Sequence, residues 1–294
     1  MIIGTRGSKL ARWQATWVQS MLREAEVKSQ LHIITTEGDQ RTDIPLHAFT
    51  TTGVFTKGLD LALLKGEVDL AVHSAKDMAS TLEEGLEVLA FMKREDPRDV
   101  LLAASPQVKL DNLSRPLVIG TSSVRRRAMI RHYFPHVEVR DLRGNVDTRV
   151  GKMEKGDYDG IILALAGVRR MGYEDRVVQI LNPHSFTPAV GQGAVAVLCR
   201  KDWKEKEKIA AVLDHKETST AVKAERAFLK TLKGGCSQPV FGHAQVWQGK
   251  MSLTCGKLIE DGARMIRESA EGPEAEAENL GHSLAESVLT KIKS

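Results

Sequence analysis

Four short segments of this 294-residue chain carry residue types whose spacing could do chemistry. Gly120-Thr121-Ser122-Ser123-Val124-Arg125-Arg126 gathers hydroxyls, backbone N–H groups and two guanidiniums, a set suited to carboxylate or phosphate because arginine makes bidentate, charge-assisted bonds. A Thr or Ser helix cap accounts for the hydroxyls equally well, though not for the arginine pair. Leu142-Arg143-Gly144-Asn145-Val146-Asp147-Thr148-Arg149 is a second basic turn, in which Gly144 permits a tight backbone approach. His73-Ser74-Ala75-Lys76-Asp77 sets an acid beside a lysine after an apolar run, a place where Asp is more often a turn residue than a catalyst. Gly234-Gly235-Cys236-Ser237 puts a thiol in a glycine turn. Most single cysteines are small buried hydrophobes, whereas an exposed turn near basic residues favours the nucleophilic thiolate.

The formal charge of +4 implies only a mild preference for anionic partners. The placement of the arginines says more: Arg125, Arg126, Arg127, Arg131, Arg140, Arg143, Arg149, Arg169 and Arg170 cluster among glycines and small hydroxyl residues. Any one of them suits a solvated basic face. As a group they suit a nucleic-acid groove or a site for small polycarboxylates, and the groove lacks the interleaved aromatics of a stacking platform. Cys199, Cys236 and Cys255 are odd in number and without paired CxxC spacing, so neither a disulfide framework nor a metal site is expected, and a reducing cytosol is the simplest compartment. The first residues lack the apolar run of a secretory signal, and no stretch is long enough to span a membrane.

The elements that must position these segments alternate in type. Residues 1–5, 31–36, 68–72, 117–120, 137–142, 160–164 and 193–199 read as strands, and residues 10–24, 55–65, 124–133 and 146–155 as helices, with a polar turn at 73–80. The pattern favours two α/β units, the second spanning 99–186, with the run at 193–199 returning to the first unit's sheet. The tail reads as a helix at 218–233, strands at 241–247 and 251–258, and a final helix at 273–291, with no internal sequence repeat. Two such lobes place a cleft where strand ends and helix starts offer N–H groups to anions. That architecture suits a solute-binding module as well as an enzyme.

Taken together, the four segments resemble the porphobilinogen deaminase family, as do Thr5-Arg6-Gly7-Ser8, Ala166-Gly167-Val168-Arg169-Arg170, Pro188-Ala189-Val190-Gly191-Gln192-Gly193-Ala194 and Ala224-Glu225-Arg226-Ala227. The resemblance implies an α/β fold of three domains, at 1–98 with 188–212, 99–187 and 213–294. The first two would resemble type II periplasmic binding proteins, and the third, a small α/β domain, would carry the cofactor cysteine. It implies a transferase that joins four porphobilinogen molecules with loss of ammonia and releases hydroxymethylbilane, using a dipyrromethane cofactor held by thioether to Cys236. Asp77 falls on the family's catalytic carboxylate. Cofactor contacts fall on Ser74, Lys76, Thr121, Ser122, Ser123, Arg125 and Arg126, and substrate contacts on Arg6, Ser8, Arg143, Arg149, Arg170, Phe55 and Gln192. A cytoplasmic monomer with no nucleic-acid, membrane or metal partner is the corresponding expectation. The chain departs from the family at Thr52, where a lysine is usual, and at Ala79, Met129 and Leu198.

Overall fold

A computed structural model describes residues 1–35, 56–113, 115–235 and 237–293; the expectations placed on Thr52, Phe55 and Cys236 lie outside them. The chain opens with β1 (Ile2–Thr5), α1 (Lys9–Glu24), β2 (Gln30–Ile33), α2 (Lys57–Leu64), β3 (Leu70–Ser74) and β4 (Leu86–Phe91). It continues with β5 (Asp99–Leu102), β6 (Val118–Gly120), α3 (Val124–Tyr133), β7 (Glu138–Arg140), α4 (Val146–Glu154), β8 (Gly160–Ala164), α5 (Leu165–Arg170) and β9 (Val177–Ile180). Next is β10 (Val195–Arg200), and then α6 (Lys206–Leu213).

These strands form two five-stranded sheets of matching design, β2-β1-β3-β10-β4 and β7-β6-β8-β5-β9. In each, the first strand lies parallel between the second and third. The strand that arrives from the other half then inserts antiparallel beside the third. The return of the 193–199 run to the first sheet is therefore observed, and the two lobes exchange one strand each. This is the α/β arrangement the resemblance implied.

Alternation along the strands explains why both faces are covered. In β3, Leu70 and Val72 join the core under α1 and α6, whereas Ala71 faces Leu59 and Leu63 of α2. On α1 the buried positions Gln14, Val18 and Leu22 recur every fourth residue, which turns one stripe inward.

A third layer follows: α7 (Lys216–Thr231), β11 (Val240–Trp247), β12 (Lys250–Ile259), β13 (Arg264–Pro273) and α8 (Ala277–Lys293). Its antiparallel sheet packs against α7 and α8. It also reaches both lobes, since Phe241 and Leu258 belong to the second lobe's core and Val222 to the first's.

Two expectations change. The final helix begins at Ala277 rather than at Pro273, because Pro273 is extended (φ −63°, ψ 141°) and ends β13. The turn expected at 73–80 starts later, since His73 and Ser74 complete β3 and only Ala75–Asp77 forms a 3-10 turn.

Candidate active site

Every loop singled out for chemistry on the two lobes follows the C-terminal end of a parallel strand: β1 into α1, β3 into the 3-10 turn, β6 into α3 and β7 into α4. Loops after β1, β3 and β7, with Arg126 from α3, line one cleft of about 740 Å³ between the lobes. Such crevices at strand ends are the ordinary ligand positions of open α/β sheets.

Of the expected residues, the cleft brings together Arg6, Ser8, Ser74, Lys76, Asp77, Arg126, Arg143 and Arg149. Its described lining holds seven Lys or Arg side chains against two acids, Asp77 and Asp147. Asp147 is already engaged, by Lys9 across the cleft at 3.3 Å and by the Tyr173 hydroxyl at 2.9 Å. The Asp77 side chain has no hydrogen-bond or ion-pair partner among the described residues. An acid left open among cations is poised to act on a ligand rather than on the fold.

Burial lowers the pKa of two of these cations. It pushes the Lys76 ammonium down to about 8, against the pull of Asp77, and Arg126 adds to the depression. Arg149 is lowered to about 10 by burial and then by Arg126, with Asp77 opposing. The Arg149 Nε donates to the Gly144 carbonyl at 2.7 Å. Gly144 makes that turn possible, because at φ +114° a Cβ would lie 2.7 Å from Thr148.

Six expected residues are not among the cleft-lining residues. Thr121 is buried and accepts from the Ser123 N–H at 3.2 Å, while Ser122 Oγ donates to the Leu142 carbonyl at 2.7 Å, tying the β6 turn to the β7 turn. Ser123 caps α3 by accepting from the Arg126 N–H at 3.4 Å, so the capping alternative describes its hydroxyl. Arg125 is buried and turned from the cleft, donating to Asp99 at 2.7 Å and to the Thr187 carbonyl at 2.9 Å. Gln192 sits in the returning segment, donating to the Pro97 carbonyl at 2.6 Å and to Asp99 at 2.9 Å. Arg170 lies with its guanidinium 5.4 Å from the Trp13 ring and 6.0 Å from Trp17, and donates to the Gly193 carbonyl at 2.9 Å. The loop bearing Gly234 and Gly235 joins α7 to β11, and Cys236 lies outside the described residues.

Sequence reasoning missed Gln14, which lines the cleft and donates to Ser74 Oγ at 2.9 Å. Its signal was a polar residue on the apolar stripe of α1. Asp99 was also missed, as was the part played by Glu225, which was noted only within a motif. The Glu225 carboxylate is buried and accepts from Arg94 at 2.6 Å and from the Gly191 and Ala244 N–H groups at 2.7 Å each. Burial alone would raise it, but Arg94 and His243 hold it near 2. It thereby fastens the third layer to both crossing segments.

The chain is similar to known proteins over nearly its whole length. Residues 1–208 match the family described as porphobilinogen deaminase, dipyromethane cofactor binding domain, and residues 219–290 match porphobilinogen deaminase, C-terminal domain. The porphobilinogen deaminase of Desulfosudis oleivorans is 42% identical over 98% of this chain and 93% of its own. Among solved structures, the periplasmic aliphatic sulphonate binding protein SsuA of Escherichia coli is similar at 16% identity and a TM-score of 0.43, over 79% of this chain and 70% of its own. The VFT2 domain of BvgS of Bordetella pertussis, as a double mutant, is similar at 12% identity and a TM-score of 0.43, over 73% and 84%.

Proposed function

The chain belongs to the porphobilinogen deaminase family, and from that membership we propose that it joins four porphobilinogen molecules head to tail, losing ammonia at each step, and frees hydroxymethylbilane by hydrolysis. The observation that carries the mechanism is Asp77, an acid with no hydrogen-bond or ion-pair partner among the described residues in a cleft otherwise rich in cations.

The cleft fits a dipyrromethane primer in size and charge. Its volume of about 740 Å³ lies within the range for sites that enclose small ligands, and its excess of cations suits a group bearing several carboxylates. Lys76, Arg126, Arg143 and Arg149 would hold those carboxylates and Cys236 the thioether, while Ser74, fixed by Gln14, would add a hydroxyl contact. The primer supplies, when bound, the pyrrole carbon to which the first unit is joined.

Asp77 stabilises the cation that porphobilinogen becomes as ammonia leaves, and it holds the proton of the pyrrole nitrogen. Arg6 and Ser8, at the start of α1 on the same lobe as Asp77, receive the acetate and propionate of the incoming unit. Domain divisions at 1–98 with 188–212, 99–187 and 213–294, a monomeric state and a cytoplasmic location complete the proposal. Among the described residues no helix is long and apolar enough to cross a membrane.

Intact-mass measurement under denaturing conditions tests the reading. The wild-type chain should carry an adduct of two pyrrole units, absent from Cys236→Ala, and should consume porphobilinogen. A chain with neither adduct nor consumption would refute it.

A further inference from the structure

Asp99 opens β5, the strand that leaves the first lobe for the second. Its carboxylate is fully buried yet accepts four hydrogen bonds, from Arg125 Nη2 (2.7 Å), Arg126 Nη2 (2.8 Å), Gln192 Nε2 (2.9 Å) and Arg126 Nε (3.1 Å). Burial raises its pKa, but Arg125 and Arg126 overcome this and keep it ionised. The two neighbouring arginines spend their remaining donors differently. Arg125 turns Nη1 to the Thr187 carbonyl and stacks 5.9 Å from the Phe186 ring. Arg126 keeps its place on the cleft wall, with Nη1 on the Ile162 carbonyl at 2.9 Å and Nη2 also 3.5 Å from Gln192 Oε1.

A guanidinium has five N–H donors. Four of Arg126's are committed to the protein, which leaves one on Nη1 for a ligand. The bidentate grip expected from two adjacent arginines is therefore spent on Asp99. Because Gln192 joins Asp99 to the Pro97 carbonyl, that fixed edge of Arg126 is tied to the place where the two crossing segments meet.

We infer that Asp99 is a positioning residue for the reaction proposed above: it withdraws Arg125 from the cleft and holds Arg126 so that a single N–H and one positive charge face the bound chain. The inference rests on that reading. If the growing chain is tethered, a grip on it is not titrated by free substrate, so the effect falls on primer retention and kcat rather than on KM.

Asp99→Asn alone leaves two buried guanidiniums without a counter-charge and endangers folding. Two sets of variants avoid this. Arg125→Met and Arg126→Met have equal formal charge, and each keeps one arginine on Asp99. With melting temperatures compared, the Arg126 variant should lose at least about ten times more kcat or primer occupancy than the Arg125 variant, a difference of about 1.4 kcal/mol. Equal losses would overturn the division of labour. The double variant Asp99→Asn/Arg125→Met retains the net single positive charge of the wild-type trio. It should melt near wild type and yet lose at least about tenfold in kcat, with a smaller change in KM. Full kcat in that variant would show that Asp99 only neutralises charge, and would overturn its positioning role. A wild-type chain without adduct or turnover would instead refute the function itself, and is read first.

Discussion

Lys76 gives the cleft a pH dependence with two opposite signs. Its ammonium titrates at about 8 in the folded chain instead of 10.5, because burial disfavours the charge, with Asp77 partly offsetting and Arg126 adding to the effect. A shift of this size corresponds to about 3 kcal/mol at most, since water in the cleft screens part of it. Between about pH 8 and 10.5 the unfolded chain keeps a proton that the folded chain has lost, so this group makes stability rise with pH; below about pH 8 both forms are protonated and the whole cost is present. Binding of a carboxylate runs the other way. An anion beside Lys76 favours the ammonium, so above about pH 8 binding must take up a proton, and affinity falls by up to about tenfold per pH unit. Single-turnover addition of porphobilinogen to cofactor-loaded protein should therefore decline above about pH 8, while urea unfolding shows the Lys76 contribution to stability increasing. Lys76→Arg, which stays charged, should lose both trends relative to wild type. An addition rate flat across this range, or a decline kept in Lys76→Arg, would refute the assignment.

Asp77→Asn should fold, because the carboxylate has no hydrogen-bond or ion-pair partner to lose among the described residues, and should slow single-turnover addition by about a hundredfold to a thousandfold; near-normal addition by the folded, loaded variant would return Asp77 to a turn role. Arg170→Met removes a cation–π contact to Trp13 and Trp17 and the bond to the Gly193 carbonyl, so urea unfolding should show a loss of about 1 to 2 kcal/mol. Unchanged stability with weakened substrate affinity would instead make Arg170 a ligand contact. Cys199→Ala and Cys255→Ala should keep the covalent adduct, since both thiols are buried in strands and burial raises both pKa values, that of Cys199 to about 11. Loss of the adduct in either, measured by intact mass, would move the anchor away from Cys236.

Elements with a clean period were legible before the structure. The helix at Val124–Tyr133 and the strand at Gly160–Ala164 have the bounds their residues suggested. The strands that escaped notice have physical reasons for doing so. Asp99–Leu102 is only four residues long and begins with an acid, and Arg264–Pro273 places arginines and glutamates on a sheet edge, where charge blunts pairing with other chains. That the two lobes repeat one α/β design was legible, but the strand order within each sheet was not, because strand order constrains burial rather than particular side chains. The segments of the candidate site were legible as clusters of type, but not the direction of each side chain. Arg125 and Arg126 are neighbours in sequence and share Asp99, and only the fold, through the Thr187 carbonyl for one and the Ile162 carbonyl for the other, sets which of them lines the cleft.

The same chemistry separates the interior from the cleft. In the interior and along the crossing segments four arginines meet acids: Arg125 meets Asp99, Arg94 meets Glu225, Arg98 meets Asp96 and Arg169 meets Glu95. Asp96 and Glu95 are held below their usual range. Burial raises Asp96, but its hydrogen bonds with Arg98 outweigh it; the Asp96 N–H is the largest influence on Glu95, and Arg169 adds to it. On the cleft wall Arg126 also shares Asp99 and Lys9 pairs with Asp147, but Arg149 is held differently. Arg149 bonds a neutral carbonyl, so its charge is oriented without being cancelled, and burial with Arg126 lowers its pKa to about 10. A carbonyl fixes a guanidinium in place while leaving its field available to an incoming anion, which an acid in the same position would quench. Holding like charges together in this way costs stability, and the cost is offset when carboxylates arrive. The cationic character of the cleft thus depends on which partner its arginines are given, and Asp77, which has no hydrogen-bond or ion-pair partner among the described residues, lies among them with its carboxylate open to the cleft.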